Sequence, residues 1–271
     1  MSKKHIFGNC RICGEYSQLT FEHVPPRSSF NNSPATLMTA DELIKHATDE
    51  SKKPWEFAKN SGRIQQRGRG DYYLCGSCNN KTGKWYGTEY KKFIGGVHGA
   101  IKQYGNLNFE HLDFIIHNIR PLPIFKQIIA MFCDINPGNI GDDSLKEFLL
   151  HKESTAFNRS RYELYAYIHS GSLIRSFGLS ALLVKGISEP VMVSEISGYP
   201  IGLALYIDKP KDYIPMGCNI SCMCEYGYDD LRDVIFHLPK LENNTMFPAD
   251  YRTKEEIICC IEQSKEYKIQ K

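Results

Sequence analysis

The chain has 271 residues, of which 42% are hydrophobic and 12% aromatic, a composition typical of a globular protein with a real core. No apolar run approaches the length of a membrane span, and the start, MSKKHIFGNC, lacks the hydrophobic core of a signal peptide. These features predict a cytoplasmic protein. Its ten cysteines are therefore expected to be metal ligands or buried thiols rather than disulfides.

The net charge of +2 hides a difference between the two parts of the chain. Residues 1–104 carry 16 Lys and Arg against 9 Asp and Glu, whereas residues 105–271 carry 17 against 22. The first part is thus at +7 and the second at −5. An excess of positive charge suits a polyanionic partner such as nucleic acid, although an ordinary solvated surface has the same composition.

Short, irregular elements are predicted in the first part of the chain. Strands are expected near Ile6–Phe7 and Thr20–Val24, and a loop rich in Pro and Ser follows the second strand. The segment TADELIKHATDE predicts a helix capped by Thr39 or Asp41. The segment SGRIQQRGRGDYY, rich in Gly and Arg, predicts a loop that leads into a strand.

Helices and then a sheet are predicted in the second part. Residues 122–135 have apolar positions near helical spacing and end at the breakers NPGNIG. The next helix, DDSLKEFLLHK, is capped by Asp142 or Asp143. Beyond Arg161, four apolar segments separated by Gly or Pro predict an antiparallel sheet, and TKEEIICCIEQSKEY predicts a final helix. The four segments are RYELYAYIH, SALLVKGI, PVMVSEIS and IGLALYI.

The sequence therefore predicts an α+β protein in two parts. The first part, residues 1–104, is a zinc-stabilised module, and the second, residues 105–271, is a helical linker followed by an α+β domain with an antiparallel sheet. The boundary is expected between residues 105 and 120.

Two identical cysteine pairs carry the strongest chemical signal. The segments CRIC and CGSC place Cys10 and Cys13, and then Cys75 and Cys78, at the same two-residue gap. Such a pair forms a knuckle whose sulfurs converge, and four thiolates close the tetrahedral shell of a structural zinc ion. The 61 residues between Cys13 and Cys75 must then fold back on themselves.

A second signal is the segment FEHVPPRSSF, which places Glu22 beside His23 and two prolines behind them. Adjacent side chains on a strand point to opposite faces. Pro25 and Pro26 predict a bend at the end of the strand, and we expect this bend to aim both side chains toward one site. A helix that begins at the second knuckle would place Asn79 on its first turn, near the end of that strand.

Taken together, these residues resemble the HNH nucleases with a zinc-knuckle, or treble-clef, ββα-metal core. That family's pattern is Cys-x-x-Cys, an acidic residue or His beside a catalytic His with Pro shortly after, and Cys-x-x-Cys followed by Asn or His and a nearby Lys. The resemblance covers about residues 8–90 of this chain. The matching residues are Cys10 and Cys13, Glu22-His23-Val24-Pro25-Pro26, and Cys75 and Cys78 followed by Asn79-Asn80-Lys81.

The resemblance implies a role for each of these side chains. His23 would be the general base, and Glu22 and Asn79 would hold a catalytic Mg²⁺ or Mn²⁺ ion. A neutral histidine suits the abstraction of a proton from water near neutral pH, and a hard cation suits the charge that develops on phosphate. Asp71, with Asn60 further back, falls near the family's middle asparagine, which orients the catalytic histidine.

The function implied by this resemblance is a metal-dependent endonuclease, with DNA favoured over RNA. Such nucleases often serve in phage defence or in mobile elements. The alternative from another class is a non-catalytic zinc-ribbon module with a degenerate HNH site, which binds nucleic acid or a protein. The second part of the chain is expected to bind a protein partner, a small regulatory ligand or the substrate.

Basic residues around the second knuckle are expected to contact phosphates. Trp85 and Tyr86 are instead expected to pack the helix onto the zinc core. Cysteines beyond the two knuckles have irregular spacing, so buried thiols are favoured there over a second metal site. The candidate phosphate contacts are Arg63, Arg67, Arg69, Lys81 and Lys84. The remaining cysteines are Cys133, Cys218, Cys222, Cys224, Cys259 and Cys260.

Overall fold

The computed structural model describes residues 5–47, 49, 51–57, 62–104, 109–138, 140, 143–171 and 173–269. The strands, in chain order, are β1 (Ile6–Asn9), β2 (Tyr16–His23), β3 (Ala35–Leu37), β4 (Arg63–Gln65), β5 (Gly70–Cys75), β6 (His111–Ile119), β7 (Tyr162–Ser170), β8 (Arg175–Leu182), β9 (Val191–Gly198), β10 (Ile201–Ile207), β11 (Cys218–Asn219) and β12 (Arg232–Glu242). The described residues thus form a mixed α+β fold, as the sequence predicts.

The helices lie between and around these strands. A π-helical segment, Gly83–Gly87, joins the second helix to the third without a break. In the part of the chain that the structure describes, none of the helices has the length and apolar character that crossing a membrane requires. The helices are α1 (Ala40–Ala47), α2 (Gly76–Thr82), α3 (Thr88–Tyr104), α4 (Pro121–Ile135), α5 (Asp143–Leu150) and α6 (Lys254–Ile269), and a short 3₁₀ turn covers Ser221–Glu225.

The helix starts follow the capping chemistry that the sequence contains. Thr39 caps α1, as predicted, because its hydroxyl accepts from the Glu42 amide at 3.2 Å while the Glu42 carboxylate accepts from the Thr39 amide at 2.7 Å. Asp143 is the first residue of α5, and the alternative cap, Asp142, lies outside the described residues. Pro121 opens α4, a position where its missing amide hydrogen costs nothing.

The strands form a small sheet near the N-terminus, a large sheet and a two-stranded pair. The small sheet is antiparallel with the order β1-β2-β5, and β3 pairs with β4. The large sheet has the order β6-β12-β7-β10-β9-β8, with β11 beside β7. All its pairs are antiparallel except β12 with β7, which run parallel over a short stretch, so the predicted antiparallel sheet is correct apart from this pair.

Three strands of the large sheet, β6, β11 and β12, were not predicted from the sequence, and a fourth begins earlier than predicted. Strand β6 lies inside the predicted boundary region, and β12 contains Pro239, which argues against a strand unless the ladder leaves its nitrogen free. Strand β8 begins at Arg175 rather than at Ser180, because an irregularity between Phe177 and Ser180 lets β9 pair with both halves of it.

The helix α4 lies at the centre of the hydrophobic core. Every residue from Pro121 to Asp134 is buried, and the cluster around it includes Phe93 and Leu74 from the first part of the chain and Leu203 from the large sheet. Burial on all sides is what a nearly continuous apolar helix requires. The core therefore continues across residues 105–120, and the division into two domains there stays a prediction.

Candidate functional site

The four predicted cysteines meet in one cluster. One sulfur from each of Cys10, Cys13, Cys75 and Cys78 lies within 4.8 Å of the others, and the Cys13 and Cys75 sulfurs are 3.9 Å apart. Zn–S bonds of about 2.3 Å in a tetrahedron place the sulfurs about 3.8 Å from one another. The four thiols therefore fit the shell of a metal ion such as zinc, and they form the only such cluster among the described residues.

Local backbone geometry builds the two knuckles. In the first knuckle, Gly14 has φ +79° and its amide donates to the carbonyl oxygen of Cys10 at 2.8 Å, a tight turn that favours glycine. In the second knuckle, the Cys75 sulfur accepts from the Cys78 amide at 3.4 Å and caps α2. A hydrogen bond from the Cys78 thiol lowers the pKa of Cys10, whereas that same bond raises the pKa of Cys78 and burial raises that of Cys13. Without a metal ion, the cluster therefore favours the thiolate at Cys10 and the thiol at Cys78 and Cys13.

Pairing of β2 with β5 brings the Glu22 strand beside the second knuckle. The helix α2 begins directly after Cys75, as predicted, and Asn79 lies on its first turns. The Asn79 Nδ2 group donates to the Thr20 hydroxyl at 3.0 Å. Burial raises the pKa of Glu22 to about 7, and hydrogen bonding to Asn79 opposes part of that rise.

A second buried carboxyl group lies near this pair. Asp134 of α4 is 2% exposed, and burial, followed by the charge of Glu22, raises its pKa well above the ordinary value. Its Oδ1 atom has no hydrogen-bond partner among the described residues. Burial therefore favours the neutral form of the Asp134 carboxyl group.

His23 lies on the other side of the same strand end. Its Nε2 atom is 3.1 Å from the carbonyl oxygen of Arg67, and its ring packs edge-on against Phe21 at 5.0 Å between centroids. A carbonyl oxygen can only accept, so Nε2 carries the hydrogen, and in the neutral ring Nδ1 is left as the base. The Arg67 carbonyl thus orients the ring, which is the role that the middle asparagine of the HNH pattern would have.

The structure places His23 and Glu22 in separate clefts. His23 lines a cleft of about 480 Å³ together with Arg27, Arg63 and Arg67, and none of the described residues that line it is acidic. Glu22 lines another cleft, of about 280 Å³, between the strand end and α3. The expected bend does not aim both side chains to one cleft, because β2 keeps pairing with β5 as far as His23 and the alternation of faces persists.

The loop that follows the Pro-Pro segment is held by a residue that the sequence analysis did not single out. The Asn31 Nδ2 group donates to the carbonyl oxygens of Pro25 at 2.6 Å and Arg69 at 2.7 Å, and its Oδ1 accepts from the Arg69 amide at 2.7 Å. Asn31 thereby ties this loop to the start of β5. Of the two candidates for an orienting residue, Asp71 accepts from the Tyr72 amide, and Asn60 lies outside the described residues.

Four of the five residues that the sequence predicts as phosphate contacts lie at the surface. Arg63, Arg67, Lys81 and Lys84 are exposed. Arg69 is instead 7% exposed, and its guanidinium donates to the carbonyl oxygens of Arg175 at 2.9 Å and Ser197 at 3.5 Å.

This burial lowers the pKa of Arg69 to about 10, and it removes Arg69 from the candidate phosphate contacts. Its place is taken by Arg27, which the sequence analysis overlooked although it follows the Pro-Pro pair directly. Tyr86 is fully buried, and its hydroxyl donates to the carbonyl oxygen of Leu149 on α5 at 2.7 Å, whereas Trp85 is half-buried. Neither belongs to the core cluster that contains the four cysteines, so their packing onto the zinc core stays a prediction.

The remaining cysteines divide into buried and exposed groups, with Cys218 half-buried between them. Cys133 and Cys224 are buried thiols, as predicted. Cys222, Cys259 and Cys260 are exposed, so for them the expectation of buried thiols is wrong; the last two lie on α6, where they face solvent. In the described part of the chain these cysteines form no second cluster that could hold a metal ion.

No family model, curated protein or solved structure matches the chain. The geometry of the two clefts and of the cysteine cluster therefore carries the functional argument.

The cysteine cluster leads to a prediction about metal content. We expect the purified protein to bind one zinc ion per chain and Cys75→Ser to lose it, because three thiolates hold zinc more weakly than four. Since metal binding is part of the folding free energy, the variant should also melt at a lower temperature. Elemental analysis and thermal unfolding measure both effects.

The matched control is Cys222→Ser, which removes an exposed thiol outside the cluster and should change neither quantity. A well-folded wild-type protein with clearly less than one zinc per chain would contradict the assignment.

The raised pKa of Glu22 leads to a prediction about pH. A carboxyl group whose folded pKa is about 7 stabilises the fold below its unfolded value of about 4.5, and this contribution is lost as the pH rises toward 7. Without divalent cations, Glu22→Gln should therefore become more stable than wild type between pH 5 and pH 8. The expected difference is on the order of 1–3 kcal/mol, reduced by solvent screening.

Urea unfolding at several pH values, with the zinc retained, measures this difference. Because the charge of Glu22 also raises the pKa of Asp134, the difference between the two curves contains the titration of Glu22 together with the response of Asp134 to it. A difference that does not change with pH would show that the Glu22 carboxyl is not buried as described.

Proposed function

We propose that the chain is a zinc-stabilised endonuclease of the HNH type that hydrolyses phosphodiester bonds in nucleic acid, DNA rather than RNA, with a treble-clef arrangement of its two knuckles. The observation that carries the proposal is the cleft of His23, in which an oriented imidazole lies among Arg27, Arg63 and Arg67. Phosphodiester hydrolysis needs a base for the attacking water and positive charge around the phosphate. The cleft contains both.

The roles of the residues follow from their surroundings. The Nδ1 atom of His23 takes the proton of the attacking water, and the Arg67 carbonyl stabilises the imidazolium that forms, because it accepts from Nε2. The arginines bind the phosphates on either side of the scissile bond, and guanidinium groups match phosphate oxygens in a bidentate way. These contacts fix the backbone of the nucleic acid and carry no sequence information.

The Glu22 and Asn79 pair supports the binding of a divalent cation. A carboxylate and an amide oxygen are the hard ligands that Mg²⁺ and Mn²⁺ prefer, so the donor set fits the cation that the HNH pattern requires. When bound, such a cation supplies positive charge to the phosphate oxygens. Glu22 must lose its proton to hold it, and Asn79 keeps the carboxyl group in place.

A second candidate function is a zinc-stabilised module that binds nucleic acid without cutting it. The observation that favours it is the separation of Glu22 and His23 into two clefts. An active HNH site needs the base and the cation at the same phosphate. The arginine cleft alone would still bind a polyanion.

Cleavage by the wild type and His23→Ala distinguishes the two functions. We expect wild type to nick plasmid DNA with Mg²⁺ or Mn²⁺ and the variant to lose about a hundred- to ten-thousand-fold in rate, because a general base acts in the transition state. Zinc content and affinity for the DNA should stay nearly unchanged. The readouts are nicking rate, elemental analysis and equilibrium binding.

Glu22→Gln and Asn79→Ala are the comparison variants. Each should recover part of its lost rate at high metal concentration, whereas His23→Ala should not. If all three variants cut as fast as wild type, the nuclease proposal fails and the non-catalytic module takes its place.

The arginine cleft leads to a prediction about salt dependence. Replacing Arg63 and Arg67 by Ala should weaken binding to DNA of any sequence and reduce the slope of log Kd against log salt by roughly one unit for each phosphate that is no longer neutralised. The Arg67 carbonyl survives the substitution, so the orientation of His23 is kept.

Binding measured at several salt concentrations gives the slope. Arg232→Ala is the matched control, since Arg232 is an exposed arginine on β12 outside the cleft. A slope equal to that of wild type would mean that the cleft does not contact the phosphate backbone.

A further inference from the structure

The cleft beside Glu22 contains a buried oxygen atom without a partner. Gln127 lies on α4 and is 5% exposed, and it is one of the residues that line this cleft. Its Oε1 atom is buried, and no group among the described residues donates a hydrogen bond to it. A buried carbonyl oxygen is costly to leave unpaired, so such an atom commonly marks the position of a water molecule or an ion.

Two glycines keep space open in front of this atom. Gly83 and Gly87 belong to the π-helical segment and line the same cleft. A Cβ atom at Gly83 would meet nothing within 4 Å, and one at Gly87 would meet only the Gln127 Oε1 atom, at 3.9 Å. Neither glycine therefore places a side chain in the cleft. Segments of π-helix also recur at functional sites.

The groups around the cleft are oxygen donors of the hard kind. Glu22 contributes a carboxyl group, Ser28 and Thr88 contribute hydroxyls, and Gln127 contributes its amide oxygen. No thiol or imidazole is found among the described residues that line the cleft. Carboxylate, carbonyl and hydroxyl oxygens select Mg²⁺ or Mn²⁺ over softer metals such as zinc. Lys91 lines the cleft from an exposed position, where it can pair with a phosphate.

We infer that Gln127 is a ligand, through its Oε1 atom, of the divalent cation that Glu22 holds. The inference rests on the proposed function, because it adds a ligand to the cation site assigned there. Gln127 comes from α4, outside residues 1–104, so the cation site uses both parts of the chain. The hydroxyls of Ser28 and Thr88 line the same cleft and would hold water molecules around a bound ion.

Mn²⁺ binding to the full-length, zinc-loaded protein tests the inference without any nucleic acid. The signal of free Mn²⁺ in electron paramagnetic resonance gives the affinity directly. Gln127→Met keeps the size and removes the oxygen, and should weaken Mn²⁺ binding at least about tenfold. Gln127→Glu adds a charge and should tighten it by a similar factor. Gln103→Met, an exposed position on α3, is the control and should bind like wild type.

Gly87→Ala keeps the test decisive if a change at Gln127 harms folding. The added methyl group meets only Oε1 at 3.9 Å, so the variant should fold normally while the cleft becomes smaller and Mn²⁺ binding weaker. The inference is overturned if wild type binds no Mn²⁺, or if Gln127→Met and Gly87→Ala both bind it like wild type, since Oε1 would then hold only water.

The two proposals can fail separately. If Mn²⁺ binding depends on Gln127 but the wild type does not cut nucleic acid, the cation site stands and the nuclease function fails. If the wild type cuts with Mn²⁺ while neither cutting nor Mn²⁺ binding responds to Gln127, the nuclease function stands and the role of Gln127 is overturned.

Discussion

The convergence of four cysteine thiols is the constraint on which the candidate site depends. The first pair lies between β1 and β2, and the second lies at the junction of β5 and α2. Holding their sulfurs within 4.8 Å of one another fixes the turn before β2 beside the start of α2, and the pairing of β2 with β5 then carries the end of β2 along the same sheet. Asn79 therefore meets Thr20 and Glu22, and the end of the same strand carries His23. A metal ion in the cluster would contribute its binding free energy to this arrangement.

The large sheet contacts the loop beside the His23 cleft directly. Arg69 extends from the loop that carries the Arg67 carbonyl and donates to the backbone of Arg175 and Ser197. Below these carbonyls, the buried Arg175 guanidinium pairs with Glu195 at 3.1 Å, so the backbone that receives Arg69 is itself fixed. Residues after position 105 thus help to hold the loop beside the His23 cleft. Another residue from that part of the chain, Gln127 on α4, lines the Glu22 cleft.

Local signals in the sequence were sufficient to predict the cysteine cluster, the start of α2 and the position of Asn79. The paired Cys-x-x-Cys spacing and the capping of a helix each depend on only a few neighbouring residues. The burial of Arg69 was not predictable in this way, since its partners Arg175 and Ser197 are more than 100 residues away. The same holds for Gln127: a polar residue within the apolar segment LPIFKQIIAMFC is a visible signal, but only the tertiary packing places it in the cleft that Glu22 lines. The strand pairing that separates Glu22 from His23 is also a property of the folded sheet.

X-ray absorption at the zinc edge of the purified protein is the most direct measurement of the constraint that holds the site together. Four cysteine ligands predict a first shell of sulfur alone, with four Zn–S distances of about 2.3 Å. The spectrum should stay the same in His23→Ala and Glu22→Gln, whose side chains lie outside the cluster. A shell that contains nitrogen or oxygen ligands would contradict the account, because the turn before β2 and the start of α2 would then not be joined by the four thiols.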